Sequence, residues 1–243
     1  TYISNLILEE LDIDVTDSFV EEDYLSDILK RFPHGFPSTK EFSSFARDNS
    51  GIPRSMENPD AILLKWMEHE EILFRTFEKY LIETFIKKEI TVDDFLEFSL
   101  SVHNRRKSRA GLALENHLIQ IFDEHMLRYD HNKRTELKAK PDFIFPGIKE
   151  YRDLSFPDEN LKMLAVKTTC KDRWRQVLAE ANRISKKHLI TLEPSISIAQ
   201  TEEMQFKDLQ LVIPRPLFSS YHPSQQSYLI DLGEFIKLVK ELQ

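Results

Sequence analysis

The sequence predicts an α/β fold in which a mainly helical section precedes a core of alternating strands and helices. Apolar residues recur at helical spacing through the first half of the chain, and short β-type runs occur only in the second half. Helical patterns separate those runs, which is typical of an α/β core. With 243 residues, 41% of them hydrophobic, the chain is long enough to bury such a core. We expect a helical section over residues 1–100, packed on the core and able to form a dimer contact, and the core over residues 101–243.

The front section contains successive segments with helical patterns. Ser38 followed by Glu41 forms a capping-box pattern, and Thr91 is a candidate N-cap. A basic segment, NRRKSRAG at residues 104–111, leads into a further amphipathic pattern. The predicted helices span residues 20–31, 38–48, 59–85, 91–102 and 112–127.

The second half alternates between strands and helices. Its β-type runs are short and apolar, as expected for strands that are buried within a sheet. The predicted strands span residues 141–146, 162–168, 188–192 and 209–214. The predicted helices between and after them span residues 172–185 and 232–242.

Charge and cysteine content narrow the function classes. The net charge of −8 argues against a generic nucleic-acid coat, but residues 1–100 carry a balance of −12 and residues 101–243 a balance of +4, so the second part could face a polyanion. A single cysteine, Cys170, excludes an intrachain disulfide framework and fits a reducing cytoplasm. We find no apolar run of transmembrane length and no signal peptide pattern, and therefore expect no membrane partner.

Two polar residues stand at the ends of predicted strands, where active sites are commonly built. Asp142 opens one strand and Lys167 closes the next. Nucleases that use Mg²⁺ need two or three carboxylates and a nearby lysine. A common arrangement places the second carboxylate two residues before the lysine, but Ala165 occupies that position. Glu180, on the predicted helix 172–185, could supply the missing carboxylate, and Glu115 is a further candidate within an apolar stripe. Each residue alone is more often structural.

Longer blocks of sequence resemble a known family. NRRKSRAG (104–111), KPDFIFP (140–146), the long block FPDENLKMLAVKTTCKDRWRQVLAEA (156–181) and LVIP (211–214) are similar to the C-terminal cleavage domain of the EcoRII-type restriction endonucleases. RFP (31–33) and LGEFIKL (232–238) extend the likeness. This family belongs to the PD-(D/E)-x-K nucleases, in the branch that carries the second carboxylate on a helix. The resemblance implies a restriction-endonuclease-like mixed sheet flanked by helices, and it accounts for Ala165.

The resemblance also implies a site and an activity. Asp142 and Glu180 correspond to the metal-binding carboxylates, Lys167 to the catalytic lysine, and Glu115 to an additional catalytic carboxylate. The implied enzyme is a Mg²⁺-dependent type II restriction endonuclease of a bacterial or archaeal cytoplasm, without an organic cofactor. It would cut double-stranded DNA at a short palindrome with CC/GG half-sites, such as CCWGG, CCNGG or a CCGG-like site. A palindrome calls for a two-fold homodimer.

Lys171, Asp172 and Arg173 correspond to the family's base-reading triplet. Arg and Lys suit the guanine O6 and N7 acceptors, and a carboxylate accepts from cytosine N4. We expect the neighbouring Trp174 to be a core residue and Cys170 to be structural. The basic residues of the 104–111 segment are expected to contact the DNA backbone, or else to form a solvated turn. They are Arg105, Arg106, Lys107 and Arg109.

The central base pairs of the site are left open. Related enzymes hold flipped central bases between an arginine and an aromatic residue four positions later. An ungapped alignment places Met67 and Glu71 at those positions, which is not that pattern, so base flipping is in doubt. The residues that could substitute or contribute to a central-base pocket are Lys65, Trp66, Met67 and His69.

Two alternatives remain open alongside the leading hypothesis. A DNA-binding effector module could have kept the fold without cleavage, although the complete set of four polar residues argues against such decay. A modification-dependent nuclease could require methylated cytosine, and only substrate tests discriminate it. A zinc enzyme is disfavoured because the eight histidines show no HExxH spacing and the chain no CxxC.

Overall fold

The computed structural model describes residues 21–52, 54–136, 139–170 and 173–243. The chain forms two compact units. Among the described residues, the first comprises residues 21–52 and 66–113, and the second comprises those of 54–65 and 114–243. The division expected at residue 100 falls within a helix, Val92–Glu124.

The helices of the structure are numbered here in chain order. Longer helices dominate the first half, and short ones connect the strands of the second half. Their bounds are α1 Glu21–Arg31, α2 Thr39–Asn49, α3 Pro59–Ile86, α4 Val92–Glu124, α5 Ile148–Arg152, α6 Trp174–Val177, α7 Ile198–Phe206, α8 Pro223–Gln226 and α9 Leu232–Lys240. No helix in the described ranges is both long and apolar enough to cross a membrane.

Local sequence signals account for the starts of two helices. Ser38 and Glu41 form the predicted capping box at the start of α2. Thr91 and Asp94 form the same reciprocal pair before α4: the Thr91 amide donates to the Asp94 carboxylate over 2.9 Å, and the Asp94 amide donates to Thr91 Oγ1 over 3.2 Å. Both predicted caps are confirmed.

The basic segment 104–111 lies inside a helix. The prediction of two helices, 91–102 and 112–127, is wrong, because α4 continues without a break from Val92 to Glu124. Arginine, lysine and alanine are good helix formers, and a single Gly111 costs only about 1 kcal/mol relative to alanine, so the segment has no residue strong enough to end the helix.

The first unit is organised around an aromatic core. Its buried residues come from α1, α2 and α3, and partly buried aromatic side chains surround them. The ring centroids of Phe36 and Phe77 lie 4.6 Å apart, and those of Phe36 and Phe74 lie 4.9 Å apart. The buried members of this cluster are Ile28, Phe42, Ala46, Leu73, Phe74 and Phe77.

The second unit is built on a mixed five-stranded sheet in the order β1-β2-β3-β4-β5. Its strands are β1 Asp130–His131, β2 Phe143–Phe145, β3 Lys162–Lys167, β4 Lys187–Thr191 and β5 Leu209–Val212. β2 runs antiparallel to both of its neighbours, β1 and β3, whereas β3, β4 and β5 run parallel to one another. All four predicted strands are present, and β1 was not predicted.

The sheet is covered on both faces. In β3, Met163 and Ala165 belong to the large core cluster that also contains Trp174 and Val177 of α6. Leu164 and Val166, which alternate with them along the strand, are also buried. A strand buried on both faces reads as a continuous apolar run, which is why MLAV was recognisable in the sequence.

The helix expected over residues 172–185 is much shorter in the described part of the chain. Regular α-helix spans only Trp174–Val177. A single tight turn follows, in which the Glu180 amide donates to the Val177 carbonyl over 3.1 Å, and Ala181 then adopts a left-handed conformation with φ 49°. Arg183, further along, donates to the carbonyl oxygens of Asp153 and Phe156 at 2.9 and 2.8 Å, which attaches this part of the chain to a segment distant in sequence.

Candidate active site

Asp142 and Lys167 meet at the ends of two neighbouring strands. Asp142 immediately precedes β2, and Lys167 is the last residue of β3. Lys167 Nζ lies 3.1 Å from Asp142 Oδ2, and the same oxygen accepts the Val166 backbone amide over 2.6 Å. The two side chains are 14% and 18% exposed, so the ion pair is accessible to a ligand but is held by the sheet.

Glu180 lies in the turn after α6, close enough to Asp142 and Lys167 for their charges to act on it. Burial and the Asp142 carboxylate raise the pKa of Glu180 to about 7, against opposing effects of Lys167 and Lys187. Glu180 Oε2 is buried and accepts no hydrogen bond from the described residues. Two carboxylates that repel each other, one with an unpaired oxygen, form a site that a cation would stabilise.

Glu115 is held by two residues of the first hairpin. It lies on α4, and its Oε2 is 2.9 Å from His131 Nε2 and 3.2 Å from Asn132 Nδ2. The Asn132 backbone amide donates to the Asp142 backbone carbonyl over 2.8 Å. The group of Glu115, His131 and Asn132 is therefore connected to the segment that carries Asp142. Sequence reasoning did not identify His131 and Asn132, because the two-residue strand β1 has no periodic pattern that would reveal it.

The donor set fits Mg²⁺. Mg²⁺ is commonly bound by one or two carboxylates, with substrate phosphates and water completing the coordination. Asp142 and Glu180 supply two hard oxygen donors, and the unpaired Glu180 Oε2 is the kind of atom that a cation would satisfy. No three His, Cys, Asp or Glu side chains converge as ligands anywhere in the described ranges, so a cation here would rely on other groups for its remaining ligands.

The segment of the expected base-reading triplet is described only in part. Lys171 and Asp172 lie outside the described residues. Arg173 is exposed, and its amide donates to the Cys170 carbonyl over 2.8 Å. The Cys170 amide donates to the Glu193 carboxylate, which attaches this segment to the end of β4.

The two neighbours of the triplet are core residues. Cys170 is 1% exposed, and burial raises the pKa of its thiol to about 12, which makes it a poor nucleophile at neutral pH. Trp174 is fully buried. Both agree with the structural roles expected from the sequence.

Three of the four basic residues of the 104–111 segment have partners within the first unit. Arg106 Nε is 2.7 Å from the buried Glu78 carboxylate, and Arg109 pairs with Glu71. The Arg105 guanidinium lies 4.6 Å from the centre of the Phe36 ring, and burial lowers the pKa of Arg105 and Arg109. Lys107 is exposed. Lys107 is therefore the residue of the four that is most open to a phosphate.

The residues considered for a central-base pocket lie on α3 in different environments. Lys65 is exposed and Met67 is partly buried. Trp66 is 3% exposed and lies under the Arg47 guanidinium at 5.9 Å. The His69 ring meets Tyr24 edge to face at 5.4 Å, and burial lowers the pKa of His69.

Comparison with known proteins identifies the family. The model of the family described as EcoRII C terminal matches residues 74–236. The chain belongs to the EcoRII C-terminal family. Across 203 residues it is 44% identical to the type II restriction enzyme EcoRII of Escherichia coli, covering 83% of this chain and 50% of EcoRII. It is 24% identical over 188 residues to the type II restriction enzyme SsoII of Shigella sonnei, covering 65% of this chain and 61% of SsoII. This family member therefore spans half the length of EcoRII.

Solved structures support the same fold. Metal-depleted Ecl18kI in complex with uncleaved, modified DNA matches with a TM-score of 0.69 and 19% identity, over 93% of this chain and 85% of that one. The complex of restriction endonuclease PspGI with substrate DNA matches with a TM-score of 0.64 and 14% identity, over 95% of this chain and 97% of that one. The restriction-endonuclease-like fold expected for this EcoRII C-terminal family member is thereby confirmed.

Proposed function

We propose that this chain is a Mg²⁺-dependent type II restriction endonuclease that cleaves double-stranded DNA at a short palindrome with CC/GG half-sites. The observation that carries the proposal is the Asp142–Lys167 pair beside the half-buried Glu180, in a member of the EcoRII C-terminal family. The names of its relatives agree with this activity, since EcoRII and SsoII are type II restriction enzymes and the solved structures are DNA complexes.

The three central side chains have distinct roles in the proposed reaction. Asp142 and Glu180 would hold Mg²⁺, and Asp142 keeps its orientation through the Val166 amide. Mg²⁺ bound there would neutralise the phosphate charge and lower the pKa of water. The Lys167 ammonium, fixed 3.1 Å from Asp142, would stabilise negative charge that develops on the phosphate oxygens. Glu115 would act from the adjoining group formed with His131 and Asn132.

Recognition would come from the segment between β3 and α6. Lys171, Asp172 and Arg173 follow Lys167 by a few residues, so base reading and cleavage would be coupled through a short stretch of chain. A basic–acidic–basic triplet has the donors and the acceptor that a C·G pair presents in the major groove. Lys107, with Arg105, Arg106 and Arg109, would contact the DNA backbone, and Lys65, Trp66, Met67 and His69 would be the residues nearest the central bases. A two-fold homodimer would place one triplet on each half-site.

Cleavage of short synthetic duplexes tests the proposal. Of duplexes that contain CCWGG, CCNGG or CCGG, at least one should be cut in both strands with Mg²⁺, and the same duplex with one outer base pair changed should not. Cutting only after cytosine methylation would favour a modification-dependent nuclease. Specific binding without cutting of either form would favour an effector module and overturn the proposed activity.

A further inference from the structure

Glu180 takes its position from the backbone of the turn that carries it. Its Oε2 is buried and accepts no hydrogen bond from the described residues. The Glu180 amide donates to the Val177 carbonyl over 3.1 Å, and the next residue, Ala181, has φ 49°. This left-handed conformation is uncommon for residues other than glycine and persists where surrounding contacts hold it. The contacts made just after Ala181 therefore help to fix the direction of Glu180.

Two side chains from distant parts of the chain bind the backbone immediately after Ala181. The Asn182 amide donates to Glu136 Oε2 over 3.4 Å, and the Arg183 amide donates to the Tyr151 hydroxyl over 3.3 Å. The Tyr151 hydroxyl in turn donates to Glu136 Oε1 over 2.5 Å. Burial acts to raise the pKa of Glu136, but its hydrogen bonds outweigh burial and lower that pKa, so Glu136 is a carboxylate at neutral pH.

The Arg183 side chain attaches the same turn to the segment that contains Tyr151. Its guanidinium donates to the carbonyl oxygens of Asp153 and Phe156 over 2.9 and 2.8 Å, and its Nε donates to Asp158 Oδ1 over 2.9 Å. The guanidinium also lies 5.7 Å from the centre of the Tyr151 ring. A planar guanidinium that uses several acceptors at once leaves little freedom to either segment. The Tyr151 hydroxyl is therefore held at a fixed place beside the turn.

A buried ammonium connects Glu136 to Glu180 by charge. Lys187, the first residue of β4, is 7% exposed, and its Nζ donates to the Ile184 carbonyl over 2.7 Å. Burial lowers the pKa of Lys187, and the carboxylates of Glu180 and Glu136 both oppose that effect. Glu136 therefore supports Glu180 in two ways, through the backbone of the turn and through the ammonium that both carboxylates stabilise.

We propose that Glu136 and Tyr151 are positioning residues, which hold the turn after α6 so that the Glu180 carboxylate is directed at a divalent cation beside Asp142. The inference rests on the proposed function in one respect, because it takes Asp142 and Glu180 as the metal ligands. Residues that orient metal ligands without touching the metal commonly contribute about 10- to 100-fold to metal affinity. The inference therefore concerns how tightly the cation binds and can be tested without DNA.

Mn²⁺ binding to the full chain, followed by the EPR signal of the free ion, tests the proposal. Tyr151→Phe keeps the ring beside Arg183 but removes the hydroxyl, and it should weaken Mn²⁺ binding about tenfold. Glu136→Gln, which leaves one acceptor oxygen for two donors, should also weaken binding. Tyr228→Phe is the matched control, because it removes a hydroxyl that donates to the Leu209 carbonyl, and it should leave the affinity unchanged. Thermal melts in EDTA should show that all three variants are folded.

A double variant separates positioning from a general loss of stability. If Tyr151 acts through Glu180, then Tyr151→Phe combined with Glu180→Gln should bind Mn²⁺ no more weakly than Glu180→Gln alone. The proposal is overturned if wild type binds no Mn²⁺, if Tyr151→Phe binds it like wild type, if Tyr228→Phe weakens binding equally, or if the two losses multiply. Wild type that binds Mn²⁺ as expected but cuts no DNA would contradict the proposed function alone.

Discussion

Glu180→Gln should stabilise the metal-free protein at neutral and alkaline pH. Burial and Asp142 raise the pKa of Glu180 from 4.5 to about 7, so the folded protein binds a proton there that the unfolded chain has already lost. Between these two pKa values the folded state holds more protons, and the free energy of unfolding therefore falls as pH rises. The loss is complete above pH 7. Glutamine has the same shape as glutamate and does not ionise, so the Glu180→Gln variant does not lose this stability as pH rises.

The magnitude follows from the size of the pKa shift. Each pKa unit corresponds to about 1.4 kcal/mol, so the shift to about 7 sets an upper bound of about 3 kcal/mol. Glu180 is only partly buried, and solvent screening reduces the expected gain in the free energy of unfolding to roughly 1 to 2 kcal/mol. In a domain of this size that corresponds to a gain in Tm of about 2 to 8 °C.

Thermal unfolding in EDTA at pH 4 and pH 8 is the assay. Wild type and Glu180→Gln should melt at similar temperatures at pH 4 and diverge by pH 8, with the variant more stable. Glu202→Gln, which changes an exposed glutamate on α7, is the matched control and should melt with wild type at both values. A variant that is equally stable or less stable than wild type at pH 8 would refute the proposed strain between Glu180 and Asp142.

Three further predictions concern other parts of the molecule. Asp60 is 4% exposed and accepts hydrogen bonds from the backbone amides of Leu232 and Gly233, at the start of α9, over 2.8 and 3.1 Å. Asp60→Ala should therefore lower the free energy of unfolding by about 2 to 4 kcal/mol, measured by urea titration. A change below about 1 kcal/mol would contradict this role. Lys107→Ala should reduce the slope of log binding constant against log salt by about 1, with Lys149→Ala, also exposed, as a control that leaves the slope unchanged. Lys167→Ala should slow DNA cleavage by about 10²- to 10³-fold in single-turnover kinetics while the protein stays folded; near wild-type cleavage would remove Lys167 from the mechanism.

Sequence patterns predicted the elements whose signals are local. The Ser38 and Thr91 caps and the apolar run of β3 are recognisable because each depends on neighbouring residues or on a short buried stretch. For segment 104–111 the local signals were misleading. Its dense charge and Gly111 suggested a break between two helices, but these residues do not disfavour helix strongly enough to end α4.

The candidate site depended on information that lies outside local patterns. Ala165 occupies the usual position of the second carboxylate; the predicted helix made Glu180 a candidate for that role, and the family resemblance selected it. The helix that was expected to carry Glu180 ends at Val177, and the rest of that segment is attached through Arg183 to carbonyl groups about 30 residues away in sequence, a tertiary contact with no signal in the segment itself. His131 and Asn132 were missed because their position beside Glu115 arises from the packing of β1 against the sheet.

Sequencing the ends of DNA fragments tests the central claim most directly. Unmethylated phage DNA would be digested with Mg²⁺ by wild type, by Glu180→Gln and by the control Glu202→Gln. We predict discrete fragments for wild type and the control, with every end at or beside a shared CC/GG palindrome that reveals the central bases, and no cleavage by Glu180→Gln. Ends that share no such sequence, or cleavage by Glu180→Gln equal to that of wild type, would contradict the account.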